Sequence, residues 1–391
     1  MTGSVPASDP VLRALVDICG PDFARPAGAA DTVGGVPARY VAAPATTSAV
    51  ADTLRLAIQH GLAVRPRGAG TKIDWGRLPA AVDLLLDTAR LAGIWHHRED
   101  ESTVEVGTGT PVRAVQKALA LRGRRIAIDP PSADATIGGV LAVNEAGPLR
   151  HRFGTPADHV NRISYVDAAG VPGESDGEDG RPGIAEVDGV LVSANVALQR
   201  LPTARRWVSI PVSTPLQVHN LVEEALAQQA EPSAIEVDLP TPTSPRATEQ
   251  PPGSLAVLVE GGPVDVRERG VRLAAALGGD AVVTGAAPHW WGRYPFGPGD
   301  VALRLAVSIA DLHAAVYALR DATGAAVPIR GSAGTGTVHA VLPGGIAPQR
   351  VEDILDGVRN VLLARGGRCI VVSAPPAISS VVDMAGPRDL F

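Results

Sequence analysis

The sequence predicts an α+β chain in two parts, and three observations carry that prediction. From Arg205 onward the apolar pattern runs strand, helix, strand, strand, helix, strand, and then repeats the same order. Before Arg205, short strands and two helices frame a turn containing Gly68 and Gly70. The third observation is a long stretch of weak regularity, Ile126 to His159, crowded with glycine, proline and small residues. Inside a compact domain such a stretch is more often a binding-loop system than a linker.

The elements follow in order. Tyr40 to Ala42 is a short strand. Thr46, Thr47 or Ser48 can cap a helix running to about His60, with Val50, Leu54 and Ala57 on one face, and Gly61 ends it. Leu62 to Val64 begins the strand that enters the glycine turn. Val82 to Leu86 is a continuous apolar strand and Ser102 to Val106 an alternating one. Pro111 opens a helix through Leu121, apolar at Val112, Val115 and Leu119. Ile163 to Ala168 and Val190 to Leu198 read as strands, separated by an acidic, Gly/Pro-rich surface loop from Val171 to Gly183.

In the second part, strands are expected at Trp207 to Val212, Ile235 to Leu239, Leu255 to Glu260 and Ala281 to Thr284. Their helices are Leu216 to Gln229 and Val266 to Leu277. The repeat places strands at Val301 to Val307, Val327 to Arg330, Thr337 to Leu342 and Arg368 to Ser373. Its helices are Ala310 to Ala322 and Gln349 to Ala364. That order gives an antiparallel sheet with helices on one face.

Composition narrows the function. The 391 residues are 45% hydrophobic and 19% charged, the make-up of a globular chain of two or three domains. A net charge of −6 argues against a nucleic-acid binder, which needs a basic face. Two cysteines, Cys19 and Cys369, fit a reducing compartment and cannot by themselves hold an iron–sulfur cluster. No leader-like or membrane-spanning run is visible, so a cytoplasmic location is expected, with attachment to the inner membrane face through partners as the alternative. No metal site is expected. His96 and His97 would face opposite sides of a strand, and Asp176, Glu178 and Asp179 lack the ligand spacing of a calcium loop. His289-Trp290-Trp291-Gly292-Arg293 reads either as an exposed aromatic loop suited to a partner or as packing within the second part.

Two segments hold the candidate chemistry. Arg65-Pro66-Arg67-Gly68-Ala69-Gly70-Thr71 follows a strand, and its glycines would let successive N–H groups approach an anion such as a diphosphate. An ordinary hairpin turn is the competing reading. It is not a dinucleotide fingerprint, because no helix opens directly after the glycines. The second segment runs from Pro130 to His159 and places Thr136, the pair Gly138-Gly139, Asn144 and Gly147 close together, followed by Arg152-Phe153-Gly154 and Asp158.

In that order the two segments resemble the FAD-binding domain of the vanillyl-alcohol oxidase/p-cresol methylhydroxylase (PCMH-type) superfamily. They resemble in particular the small flavin subunit of bacterial glycolate oxidase. Members carry Pro-Arg-Gly-x-Gly-Thr, Thr-[Ile/Leu]-Gly-Gly, Asn-x-x-Gly-Pro and Arg-[Tyr/Phe]-Gly-x-x-x-Asp, and Thr71-Lys72-Ile73-Asp74-Trp75-Gly76 also matches that subunit. The resemblance implies a PCMH-type FAD-binding domain of two α/β subdomains over residues 1–204, followed by a ferredoxin-like α+β cap over 205–391. It implies that Arg67, Gly68, Ala69, Gly70 and Thr71 wrap the FAD pyrophosphate. Pro131, Thr136, Gly138 and Gly139 would line the pyrophosphate and ribityl side, and Asn144 and Gly147 the ribityl or isoalloxazine side. Gly154 and Asp158 would hold the closing loop, and Val190 and Val192 the adenine strand. No histidine stands beside the glycine turn, so the FAD is expected to be non-covalent.

The resemblance further implies a subunit of a glycolate/lactate-type 2-hydroxy-acid dehydrogenase complex. Its partners would be a larger flavoprotein subunit and an iron–sulfur subunit. Three departures stand out. The acidic stretch Pro172 to Ile184 replaces the usual Lys-Asn-x-x-Gly-Tyr-Asp-Leu run. Ser332 stands where relatives have the first His of His-x-Gly-Asp-Gly-Asn-x-His, leaving His339. The chain stops at Gly386 to Phe391, like a trimmed accessory subunit. No catalytic residue is assigned; Arg304, Arg330 and His339 are candidates by position in the cap. The competing reading is a degenerate flavoprotein fold without FAD, serving as a scaffold in such a complex.

Overall fold

The computed structural model describes residues 9–96, 102–176, 183–241 and 252–386. The chain divides into two compact units that are not uninterrupted halves. The first comprises residues 1–73, 79–145 and 155–200; the second comprises 74–78, 146–154 and 201–391. The expected boundary after residue 204 therefore misses two excursions, in which 74–78 and 146–154 group with the later residues.

The first unit contains two sheets. In the smaller, Tyr40–Ala42, Leu84–Asp87 and Val64–Arg67 run parallel, and Ala24–Pro26 closes one edge antiparallel. Leu84–Asp87 lies inside this sheet, and Leu84, Leu85 and Leu86 are all fully buried in different clusters. A parallel strand covered on both faces must be apolar throughout, which is why its sequence does not alternate. Each of these leucines contributes about 1.5–3 kcal/mol on burial. The larger sheet is antiparallel, in the order Pro172–Ser175, Val160–Asp167, Gly189–Ala197, Thr103–Gly107, Ile94–His96. Here the strands alternate. Val104, Val106, Val190, Val192, Ala194 and Val196 are buried, and Glu105, Ser193 and Asn195 belong to the opposite, polar face.

Several expectations need correction. Pro10–Cys19 is a helix that the sequence reading passed over, capped by Asp9, whose carboxylate accepts from the amides of Val11 and Leu12. Ile137–Val143 is a second unforeseen helix, within the stretch expected to be irregular. The start of the acidic stretch is an edge strand, because Pro172–Ser175 pairs with Val160–Asp167. Glu178 and Asp179 of the acidic run, together with His97, lie outside the described residues, as do Pro387 to Phe391.

The second unit is one antiparallel sheet of eight strands. Its order is Val282–Thr284, Ala204–Val212, Gly253–Gly261, Ala234–Leu239, Ile329–Ser332, Thr337–Leu342, Val301–Ala306, Arg368–Ser373. Each half is a strand-helix-strand-strand-helix-strand unit, and the halves join where Ala234–Leu239 pairs with Ile329–Ser332. The ferredoxin-like expectation is therefore met twice over in one continuous sheet. Helices Pro215–Ala227, Pro263–Leu277, Leu312–Thr323 and Pro348–Leu363 share one core with the strand residues of a single parity, such as Val257, Leu303 and Val338. Residues of the other parity, among them Asp238, Arg304, Arg330 and His339, occupy the helix-free face. Trp290 is buried, and Trp291 meets Trp207 edge-on at 6.1 Å, so the aromatic run packs inside this unit and is not an exposed loop. Among the described residues no helix is long and apolar enough to cross a membrane.

Candidate cofactor site

The site in the first unit begins where the strand Val64–Arg67 ends. The Arg67 carbonyl accepts from the Thr88 amide at 2.9 Å, so the chain must leave the sheet there. Gly70 adopts φ +73°, a conformation that side chains resist. Its carbonyl accepts from the Ile73 amide at 3.2 Å, closing the turn. A Cβ at Gly68 would lie 2.2 Å from Thr136 Oγ1, so glycine is required for the turn to sit against that residue. The amides of Gly68, Ala69, Gly70 and Thr71 donate to no described group. Four successive undonated N–H groups form the anion-binding option that the sequence left open beside an ordinary turn.

Thr136 does two things. It packs on Gly68, and it caps the helix Ile137–Val143 by accepting from the Gly139 amide at 3.3 Å. Thr108 holds the same corner from the other side. Its carbonyl accepts from the Gly138 amide at 2.8 Å, and its hydroxyl donates to the Leu191 carbonyl at 2.7 Å. The glycine turn, the start of this helix and Gly189 to Leu191 thus converge on a cavity of ≈ 320 Å³.

The expected residues fall into groups. Arg67, Gly68, Ala69, Gly70, Thr71, Thr136, Gly138, Gly139 and Val190 all line the cavity. Gly138 and Gly139 already have acceptors for their amides, so they shape the wall and leave the donor role to the turn. Val192 is fully buried in the core behind the wall. Asn144 takes φ 49°, donates to Thr155 Oγ1 at 3.1 Å and accepts from the Ala157 amide at 3.0 Å. Asp158 accepts from the amide and hydroxyl of Thr155. Both residues therefore fasten the backbone that follows the helix. Pro131 lies beside Ser132 in the loop described next. Gly147 and Gly154 belong to the second unit, where Gly154 ends the helix Arg150–Phe153 with φ 84°.

Arg67 was expected among the residues that hold the pyrophosphate, and it lines the cavity. Its guanidinium donates to Asp31 and Asp87, each at 2.9 Å. Burial disfavours that charge, but the two carboxylates outweigh it and hold the pKa of Arg67 above its ordinary value. Asp31 is held well below the usual carboxylate range, chiefly by its hydrogen bond from Arg25. Arg65, two residues earlier, also lines the cavity, and its side chain has no hydrogen bond or ion pair with a described residue.

The sequence reading also missed what ties the loops together. Lys72 forms a buried ion pair with Glu145 and donates to Thr71 Oγ1 at 3.1 Å. Glu145 accepts from the amide and hydroxyl of Ser132 at 3.1 and 2.6 Å. One carboxylate therefore joins the glycine turn to the Pro131 segment. The available signal was rarity: Lys72 is one of only two lysines in the chain.

Comparison with known proteins now decides the domain. Residues 38–172 match the family described as FAD binding domain. These residues form an FAD-binding domain. The D-lactate dehydrogenase of Archaeoglobus fulgidus is 25% identical over 130 residues, covering 33% of this chain and 29% of that protein. Glycolate oxidase subunit GlcD of Bacillus subtilis is 28% identical over 131 residues, covering 33% of this chain and 28% of that protein. The chain thus matches less than a third of the length of these curated relatives. A solved alkyldihydroxyacetonephosphate synthase aligns over 100% of this chain and 88% of its own, with a TM-score of 0.70 at 16% identity, which shows a shared fold.

The residues present fit FAD. The FAD-binding domain offers a run of undonated amides suited to a diphosphate, an unpaired Arg65, and a cavity bounded by the Gly189 to Leu191 backbone.

Proposed function

We propose that this chain is the FAD-binding subunit of a glycolate/lactate-type 2-hydroxy-acid dehydrogenase complex. It would work in the cytoplasm with a larger flavoprotein subunit and an iron–sulfur subunit. The observation that carries the reading is the turn Gly68 to Thr71, whose amides donate to no described group and border a cavity. A diphosphate is the part of FAD that needs such a row of donors. Likeness to D-lactate dehydrogenase and to a glycolate oxidase subunit supports a 2-hydroxy acid as the substrate class.

In this reading Gly68, Ala69, Gly70 and Thr71 hold the diphosphate through their backbone, and Arg65 adds a charge-assisted contact. Thr136, Gly138 and Gly139 form the wall, and the backbone around Val190 bounds the adenine side. The ion pair of Lys72 with Glu145 keeps the turn and the Pro131 segment in register. When bound, FAD supplies the two-electron acceptor for oxidation at the hydroxyl-bearing carbon.

The test is the visible absorption of the purified full chain. The oxidised-flavin band is expected, and denaturation should release the flavin into the filtrate. A protein that stays colourless after incubation with FAD would sink the reading and leave the scaffold alternative in its place.

A further inference from the structure

We propose that Arg304 anchors the carboxylate of a small organic acid bearing an apolar substituent, on the helix-free face of the second unit's sheet. Strand register sets Arg304, His339, Arg330 and Asp238 side by side across four neighbouring strands. The two arginines differ. Arg330 donates to Asp238 Oδ1 at 2.8 Å and to the Tyr294 carbonyl at 3.2 Å, so its charge is met. Arg304 is half-buried, and its side chain has no hydrogen bond or ion pair with a described residue.

Burial lowers the pKa of Arg304, which marks a cation without a counter-ion in a poorly hydrated place. Burial first, and then the nearby cations Arg304 and Arg150, hold the His339 imidazole neutral. A neutral imidazole beside an unpaired guanidinium offers a hydrogen bond without a second positive charge. One fork of parallel N–H donors matches a carboxylate, whereas a phosphate dianion would call for more than one free cation. Aromatic rings border the same row. Tyr294 meets His339 edge-on at 4.9 Å, Phe296 stacks on Tyr294 at 4.7 Å, and Trp75 meets Tyr294 at 5.5 Å. Those half-buried rings give an apolar substituent a surface to cover.

This inference rests on the proposed function for the 2-hydroxy character of the acid, so flavin content and acid binding are measured separately. Calorimetric titration of the full chain uses phenyllactate, glycolate, the neutral phenyllactamide and inorganic phosphate. Phenyllactate is expected to bind more tightly than glycolate, and the amide about tenfold or more weakly, for want of the charge-assisted contact. Arg304→Gln should weaken phenyllactate by a similar factor with the flavin band unchanged, and Arg304→Lys should restore part of the loss. Equal affinity in Arg304→Gln and the parent chain overturns the proposal. So does failure of the parent chain to bind either acid, or a preference for phosphate. A missing flavin band would refute the FAD reading and leave the acid titration interpretable.

Discussion

Arg67 and Arg304 carry the same group in opposite circumstances. Arg67, beside the glycine turn, is clamped between Asp31 and Asp87 and its pKa is raised. The Arg304 side chain, in the second unit, has no hydrogen-bond or ion-pair partner among the described residues, and its pKa is lowered by burial. The first unit therefore prepares for an anion with backbone amides and uses its nearest arginine as a brace. The second unit keeps a side-chain cation uncompensated. The contrast teaches that an arginine next to a binding motif is not thereby a ligand group, and that the carboxylates around it decide.

The largest effect should come from breaking the brace below the turn. Lys72→Met removes the Lys72 ammonium from its buried ion pair with Glu145, which costs about 3–5 kcal/mol. Chemical denaturation should show that loss, and adding Glu145→Leu should recover much of it. Full stability in the single variant would remove the ion pair from the account. Next, Gly70→Val forces a β-branched residue to φ +73°, at a cost of about 1–3 kcal/mol. The flavin content of the purified protein should fall to near zero while the second unit stays folded by circular dichroism.

A smaller, sharper effect separates two arginines on one strand. Arg65→Gln should weaken FAD about tenfold or more, through loss of a charge-assisted contact. Arg67→Gln should lower the melting temperature and leave FAD affinity within twofold of the parent, as an order-of-magnitude bound for a residue without ligand contact. Equal losses of affinity in both variants would erase the distinction between brace and ligand.

The smallest effect is a pH slope. His339 has its pKa pushed down to about 3, mainly by burial and then by Arg304 and Arg150. Between the ordinary histidine value and that folded value, the unfolded chain binds the proton and the folded chain does not. The stability present above about pH 6.5 therefore drains away as pH falls toward about 3. Melting curves of His339→Gln should show a shallower loss over that window. An identical slope would mean that other groups set it.

Much of this was legible in the sequence because the burial patterns are simple. The apolar run around Leu84 to Leu86 reads as a strand covered on both faces, and in Thr337–Leu342 every second residue, Val338, Ala340 and Leu342, enters the helix-covered core. The repeat after Arg205 was visible for the same reason. The helix Ile137–Val143 was not, because two glycines at its start lower its intrinsic propensity. Tertiary contacts hold it, through the Thr136 cap and the burial of Ile137, Val140 and Leu141. Nor could the motif distinguish Arg65 from Arg67. They lie on the same side of one strand, and the carboxylates that claim Arg67 come from Asp31 and Asp87, far away in sequence.

The glycine turn is the centre of the account, and its amides can be watched directly. Hydrogen exchange of the peptide covering Gly68 to Thr71, followed by mass spectrometry with and without FAD, measures whether those donors gain acceptors. Strong protection on FAD addition, lost in Gly70→Val, is the predicted result. Unchanged exchange in a chain that demonstrably binds FAD would contradict it.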